Sequence, residues 1–327
     1  MFGCAAGPVM AQESFFKGKT IQLIVPAGPG GAFGLFGQIL SKFLPKQIPG
    51  NPSVVPQFME GAGGIRASNY IANKAPNDGT TIYLMHEGAV TYQRLFPDQV
   101  MYDARKFIPI GIVSSLNSAL AVRKDAPAID MAGFKQKEVV LGSTGHGSYQ
   151  FVVPMLLNKF QNTKFKMIEG YPGTNNMILA LDRGEIQGML ASLLALKTSR
   201  PDWVNGKGVA RIVFQMGDRA DPAISSVPLL TNLAVSNEER DLYSFMSLET
   251  SFGRSLVAPA GVPENRTQVL RAALAAVLND KEFTTLCAER GIPLISGTAQ
   301  DLKAIIDKAF ATPRNVVETA RKYMTEQ

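Results

Sequence analysis

The stretch Thr20 to Gly37, TIQLIVPAGPGGAFGLFG, constrains the fold of this chain more than any other. An apolar run rich in β-branched residues stops at Pro26 and empties into Gly28, Gly30 and Gly31, after which a helical pattern begins. The order is strand, glycine loop, helix. Thr20, Ile21, Ile24 and Val25 fit a strand buried on both faces. The glycines let the backbone turn tightly and leave bare N–H groups at the start of the next helix, a cradle for a negative oxygen. The device recurs three times: PSVVPQF ahead of Gly61-Ala62-Gly63-Gly64, EVVL ahead of Gly142 to Ser148, and FKMIE ahead of Gly170-Tyr171-Pro172-Gly173-Thr174. Two copies lie in the first third and two in the middle, which suggests two lobes whose loops face each other across a cleft.

A length of 327 residues supports two cores, because single cores stop growing near about 250 to 300 residues. The 33 Lys and Arg against 27 Asp and Glu are scattered, with no block of five or six. That distribution argues against nucleic acid and for attraction of an anionic small molecule. The opening MFGCAAGPVMAQES is small and apolar, and Val9-Met10-Ala11 resembles a signal-cleavage site, yet no Lys or Arg precedes Lys17. It is expected to be the remnant of a truncated secretory signal. Cleavage after Ala11 leaves Cys287 as a lone thiol, without a disulfide or a zinc site.

Taken in order, the pattern predicts helix Leu35 to Leu44 ending at Pro45, strand Val54 to Phe58, a helix from Gly61–Gly64 through Asn73, and strand Thr80 to Met85. Such alternation argues for a parallel sheet. Leu116 to Val122 is the expected crossing into a second lobe. There the pattern restarts with strand Val139 to Leu141, a helix near Gln150 to Phe160, strand Phe165 to Ile168, a helix near Asn176 to Arg183, and strands at 184–190 and Ala210 to Gln215. Phe252 to Pro259 reads as a return strand, and the remainder as helical, with helices at Pro263 to Leu278 and Ala299 to Ala309. The expected domains are 1–16 as signal remnant, 17–116 with 252–327 as lobe 1, and 117–251 as lobe 2. Two crossings make a hinge that permits closure around a ligand.

Nucleotide chemistry does not fit these loops. From Gly28 the third glycine of G-x-G-x-x-G falls on Phe33, and no lysine lies between Lys19 and Lys42 to complete a P-loop. Catalysis has little to stand on either, since the chain holds two histidines and His146-Gly147-Ser148 is not a nucleophile elbow. His86-Glu87 lacks the second histidine of a zinc helix. Glu87 closes a strand, where open parallel sheets bind ligands. Ser143, Thr144, Ser148, Thr174 and Asn175 offer side-chain donors that also suit helix capping. Phe33, Phe36 and Tyr149 offer an apolar wall or pack within their own lobe.

Ile21 to Pro26 with Gly28-Pro29-Gly30-Gly31, Gly61 to Gly64, Ala75-Pro76-Asn77-Asp78-Gly79-Thr80, Gly142 to Ser148, Gly170 to Asn175 and Val257 to Pro263 together resemble the substrate-binding receptors of tripartite tricarboxylate transporters, the Bug or TctC family. The resemblance implies an α/β, two-lobed periplasmic-binding-protein (Venus flytrap) fold, each lobe a mainly parallel sheet flanked by helices, with two crossover strands. It implies a monomeric, non-catalytic periplasmic receptor that needs no cofactor or metal, closes on a mono- or dicarboxylate and hands it to a membrane permease. The alternatives are a sensor signalling to a membrane kinase and an enzyme acting on a small carboxylate. Carried over by position, the ligand contacts are Gly30, Gly31 and Ala32 on one side and Ser143, Gly145, Gly147 and Ser148 on the other, with Phe33, Glu87, Thr174 and Asn175 added from the residues themselves. Many members have an aspartate where this chain has Gly34, which puts amino-acid specificity in doubt unless Glu87 takes over its role.

Overall fold

The computed structural model describes residues 15–29, 32–145 and 148–325. The chain forms two compact units, Met1–Ser115 with Phe252–Phe310 and Leu116–Ser251 with Ala311–Gln327.

In the first unit, β1 (Thr20–Val25) pairs in parallel with β2 (Ser53–Phe58) and β3 (Thr81–Met85). A fifth strand, β10 (Arg254–Ala258), runs antiparallel between β3 and β4 (Ile108–Ser114), giving the order β2-β1-β3-β10-β4. The sequence dictates these places. TIYLM of β3 and RSLVA of β10 are buried at every position and take the middle. β2 carries Pro56, which lacks an N–H for a ladder, and sits at the edge with most of its side chains exposed or half-exposed. β1 departs from expectation: Thr20 and Gln22 are exposed, so its first half is buried on one face only.

Helix Ala32–Gln47 buries Phe33, Phe36, Leu40, Phe43 and Leu44, a stripe at spacings of three and four. It passes through Pro45, beyond the end predicted at Leu44. A proline in the last turn forfeits one bond near an end that is losing its partners anyway. Helix Glu264–Asn279 packs on this helix and on β4.

The second unit repeats the plan with β5 (Ser118–Arg123), β6 (Val139–Gly142), β7 (Phe165–Ile168), β8 (Gly188–Ser192) and β9 (Ala210–Met216) in the order β7-β6-β8-β5-β9. β6 is parallel to β7 and β8, and β5 is antiparallel to both its neighbours. Each sheet therefore holds four strands in one direction and a single reversed strand. Both reversed strands start at the edge where the others end, Ser118 opposite Ser192 and Ser255 opposite Met85. Within each unit, the ends of β4, β5 and β10 that lead to the 115/116 and 251/252 links share that carboxyl edge with the glycine loops. Ligands of open α/β sheets bind at this edge.

Several helices fall outside the expectations, among them Ala89–Leu95, Leu193–Ser199 and Asn237–Phe252. Asn237–Phe252 buries Leu242, Tyr243, Phe245, Met246 and Leu248, with Ser247 and Thr250 buried among them. Apolar and polar residues alternate around this helix, so no clean stripe announced it. Arg314–Thr325 packs on Tyr149–Gln161 through its buried Val316, Val317 and Ala320. The segment expected in lobe 1 as 252–327 is thus divided, with 311–327 belonging to the second unit. Among the described residues, no helix is long and apolar enough to cross a membrane.

Candidate functional site

Each unit presents polar groups at the carboxyl edge of its own sheet. In the second unit, Ser143 follows β6; its N–H donates to the Ile168 carbonyl at 2.8 Å and its carbonyl accepts from the Tyr171 N–H at 3.2 Å. The backbone is fixed, but the hydroxyl is not. Ser143 is fully buried and its Oγ has no hydrogen-bond partner. Ser192, at the end of β8, likewise carries a buried Oγ without a partner. Buried hydroxyls nearly always find one. Ser118 faces Ser192 across the β5–β8 ladder and donates to the Tyr149 hydroxyl at 3.3 Å.

Gln150 locks this edge together. Its Oε1 accepts from both Thr144 N–H (3.2 Å) and Thr144 Oγ1 (2.9 Å), while its Nε2 donates to the Leu190 carbonyl at 3.1 Å. Ser148 occupies the N-cap position of helix Tyr149–Gln161, but its hydroxyl donates back to the Gly145 carbonyl at 2.8 Å. Its side chain braces the loop and does not cap. Thr174 and Asn175 begin helix Thr174–Arg183, the former half-buried and the latter exposed. Gly147 and His146 lie outside the described residues.

In the first unit, Gly30 and Gly31 also lie outside the described residues, and Ala32 opens the helix. Phe33 turns inward and stacks on His86, with ring centroids 5.7 Å apart and planes 15° from parallel. His86 Nδ1 accepts from the Gly88 N–H at 3.1 Å, and burial holds its pKa below the usual histidine value against the opposing pull of Glu87. The imidazole is therefore neutral at neutral pH. On Phe33 lies the guanidinium of Arg254, 3.7 Å from the ring centroid. Arg254 Nη1 donates to the Glu87 carboxylate and, at 3.2 Å, to the Gly253 carbonyl. Glu87 thus meets a cation of its own chain.

The structure gathers Ser143, Gly145 and Ser148 with Ser192 at one edge and Phe33 and Glu87 with Arg254 at the other. Sequence reasoning missed Ser192 and Arg254. Ser192 lies just past a predicted strand, where the strand-end rule could have found it. Arg254 reads as one more residue of an apolar return strand and carried no signal. Among the described residues, no group of three or more His, Cys, Asp or Glu is placed to hold a metal.

The family model described as "Tripartite tricarboxylate transporter family receptor" matches residues 44–321. A UPF0065 protein from the tcbD-tcbE intergenic region of Pseudomonas sp. (strain P51) is 24% identical over 293 residues, 88% of this chain and 82% of that protein. Among solved structures, MatC from Rhodopseudomonas palustris with bound malate is similar at a TM-score of 0.67 and 21% identity, covering 91% of this chain and 99% of the other. R. palustris Rpa4515 with adipate gives 0.68 and 21%, covering 92% and 97%.

Proposed function

The chain belongs to the tripartite tricarboxylate transporter receptor family, and from that premise we propose that it is a periplasmic, non-catalytic receptor that binds a small mono- or dicarboxylate and delivers it to a membrane permease. The observation that carries the proposal is the Ser143 hydroxyl, fully buried, unpartnered and set at the carboxyl edge of β6 beside a braced loop. A buried donor without a protein acceptor suits a ligand that arrives with one. The malate and adipate of the two R. palustris proteins are small dicarboxylates of the kind such donors accept.

Hydrogen bonds to a charged group contribute about 1.5–3 kcal/mol each. Three or four reach the roughly 8 kcal/mol of a micromolar complex. No titrating side chain is needed for this, which is why the reading is a receptor and not an enzyme.

The test is a thermal-shift screen against mono-, di- and tricarboxylates, malate and adipate included, with the ligand quantified by NMR before and after incubation. A rise in melting temperature with the ligand recovered unchanged is expected. Consumption of the ligand, or no shift from any acid, refutes the proposal. Co-precipitation with the detergent-solubilised permease of the same host tests the delivery step.

A further inference from the structure

We propose that Arg254 is an anion anchor of the first unit, presenting the side-on fork of its guanidinium, Nε–H and Nη2–H, to the two oxygens of a ligand carboxylate. The inference rests on the receptor reading and deepens it by naming a specificity residue outside the glycine loops. Arg254 is only 5% exposed, so each of its N–H groups needs an account. Nη1 is used by Glu87 and the Gly253 carbonyl. Nε is buried with no partner, and among the described residues Nη2 has none either. What remains unpaired among the described residues is one edge of the guanidinium, the geometry that matches a planar carboxylate with two parallel hydrogen bonds.

The surroundings hold that edge in place. The guanidinium carbon lies 3.7 Å from the Phe33 ring centroid and 5.9 Å from that of Phe36. Both rings are buried, so the cation rests on a fixed aromatic wall. Glu87 grips the opposite side through Nη1 and fixes the rotation of the plane. Arg254 opens β10 beside the end of β3, at the carboxyl edge of the sheet. A purely structural Arg–Glu pair does not explain a buried Nε–H left without an acceptor, because a lysine there would pair with Glu87 and bury no such group. A carboxylate ligand explains it. Glu87 sets a limit on the affinity, since its charge repels the same anion.

Titration calorimetry with malate and adipate as probes, on wild type, Arg254→Lys and Glu87→Gln, tests the assignment together with the side-chain Nε–H spectrum of ¹⁵N-labelled protein. Arg254→Lys is expected to weaken binding tenfold or more. Glu87→Gln, which keeps an acceptor for Nη1 but removes the repulsion, is expected to tighten it at least threefold. One Nε–H resonance, absent from Arg254→Lys, is expected to move downfield when wild type is saturated. If Arg254→Lys does not fold, the resonance moved by ligand and the Glu87→Gln affinity decide. A wild type that binds while both variants stay within twofold, or whose Nε–H signals stay put, overturns this assignment and leaves the receptor reading standing. A wild type that binds no carboxylate overturns both.

Discussion

Replacing Ser143 by alanine should stabilise the empty protein and weaken the complex, two effects of opposite sign from one atom. The Oγ is fully buried and has no protein partner among the described residues. An unsatisfied buried hydroxyl costs about 1–3 kcal/mol. Deleting it removes that cost and forfeits only the weak dispersion contacts of one oxygen, a few tenths of a kcal/mol. The balance is about 1 kcal/mol in favour of the variant, which raises the melting temperature by about 2–4 °C for a domain of 150–250 residues. In the complex the same hydroxyl donates to a carboxylate, and its loss costs about 1.5–3 kcal/mol, or roughly 10- to 150-fold in affinity. The assay pairs scanning fluorimetry of protein stripped of ligand by denaturation and refolding with calorimetry of the best ligand from the screen. A variant that melts lower than wild type refutes the claim that the hydroxyl is strained in the empty state. An unchanged affinity refutes its role as a donor.

Gly64 sits at φ 87°, and a Cβ there would lie 2.7–2.8 Å from the His86 ring, so Gly64→Ala should lower the unfolding free energy by about 2–4 kcal/mol in urea titrations. The largely buried pair Lys197–Asp221, 2.8 Å apart with side chains 19% and 4% exposed, predicts that Lys197→Met strands a buried carboxylate and costs about 3 kcal/mol by the same measurement. His86 has a folded-state pKa below its unfolded value, so the unfolded chain takes up the proton first as pH falls. Its contribution to stability should therefore decline from about pH 6.5 downward until the folded-state value is reached, and His86→Asn should flatten the stability profile over that window. A variant with the same pH slope as wild type refutes the burial argument for this histidine.

The architecture was legible because its signals are local. A β-branched run that ends in glycines and is followed by apolar residues at spacings of three and four fixes strand, loop and helix together, as Ile21 to Val25 with Phe33, Phe36 and Leu40 illustrate. The reversed strands β5 and β10 were harder to orient, since direction is set by where the chain enters the sheet and not by the residues of the strand. At the candidate site, Ser143 and Ser148 were identified from their loop, but their roles were not. The Ser148 hydroxyl braces Gly145, and the Ser143 hydroxyl is empty, a distinction that depends on distances of an ångström. Arg254 was invisible for a different reason. A cation inside a run of apolar residues becomes intelligible only beside Glu87 and Phe33, which lie 167 residues from it and at the head of another helix, respectively.

The missing aspartate of the first loop belongs to the same local rearrangement. A Cβ at Gly34 would overlap the Pro29 carbonyl and lie 2.5 Å from the Gly28 carbonyl oxygen, so this backbone has closed over the place where an acid would start. The acid of this edge instead comes from the end of β3, as Glu87, and it is neutralised by Arg254. Phe33, next to Gly34, lies beneath that guanidinium. The three departures are therefore physically coupled: without a side chain at Gly34 the loop can approach the helix, Phe33 lies beside the guanidinium, and that cation pairs with Glu87. An ammonium group arriving here finds Glu87 already paired with Arg254 and Glu60 exposed beside Gly28, whereas an anionic oxygen finds the unpaired guanidinium edge. On the anchor proposed above, the Arg254 side of this edge suits an anionic oxygen better than an ammonium group, and that preference follows from where one glycine lets the backbone go.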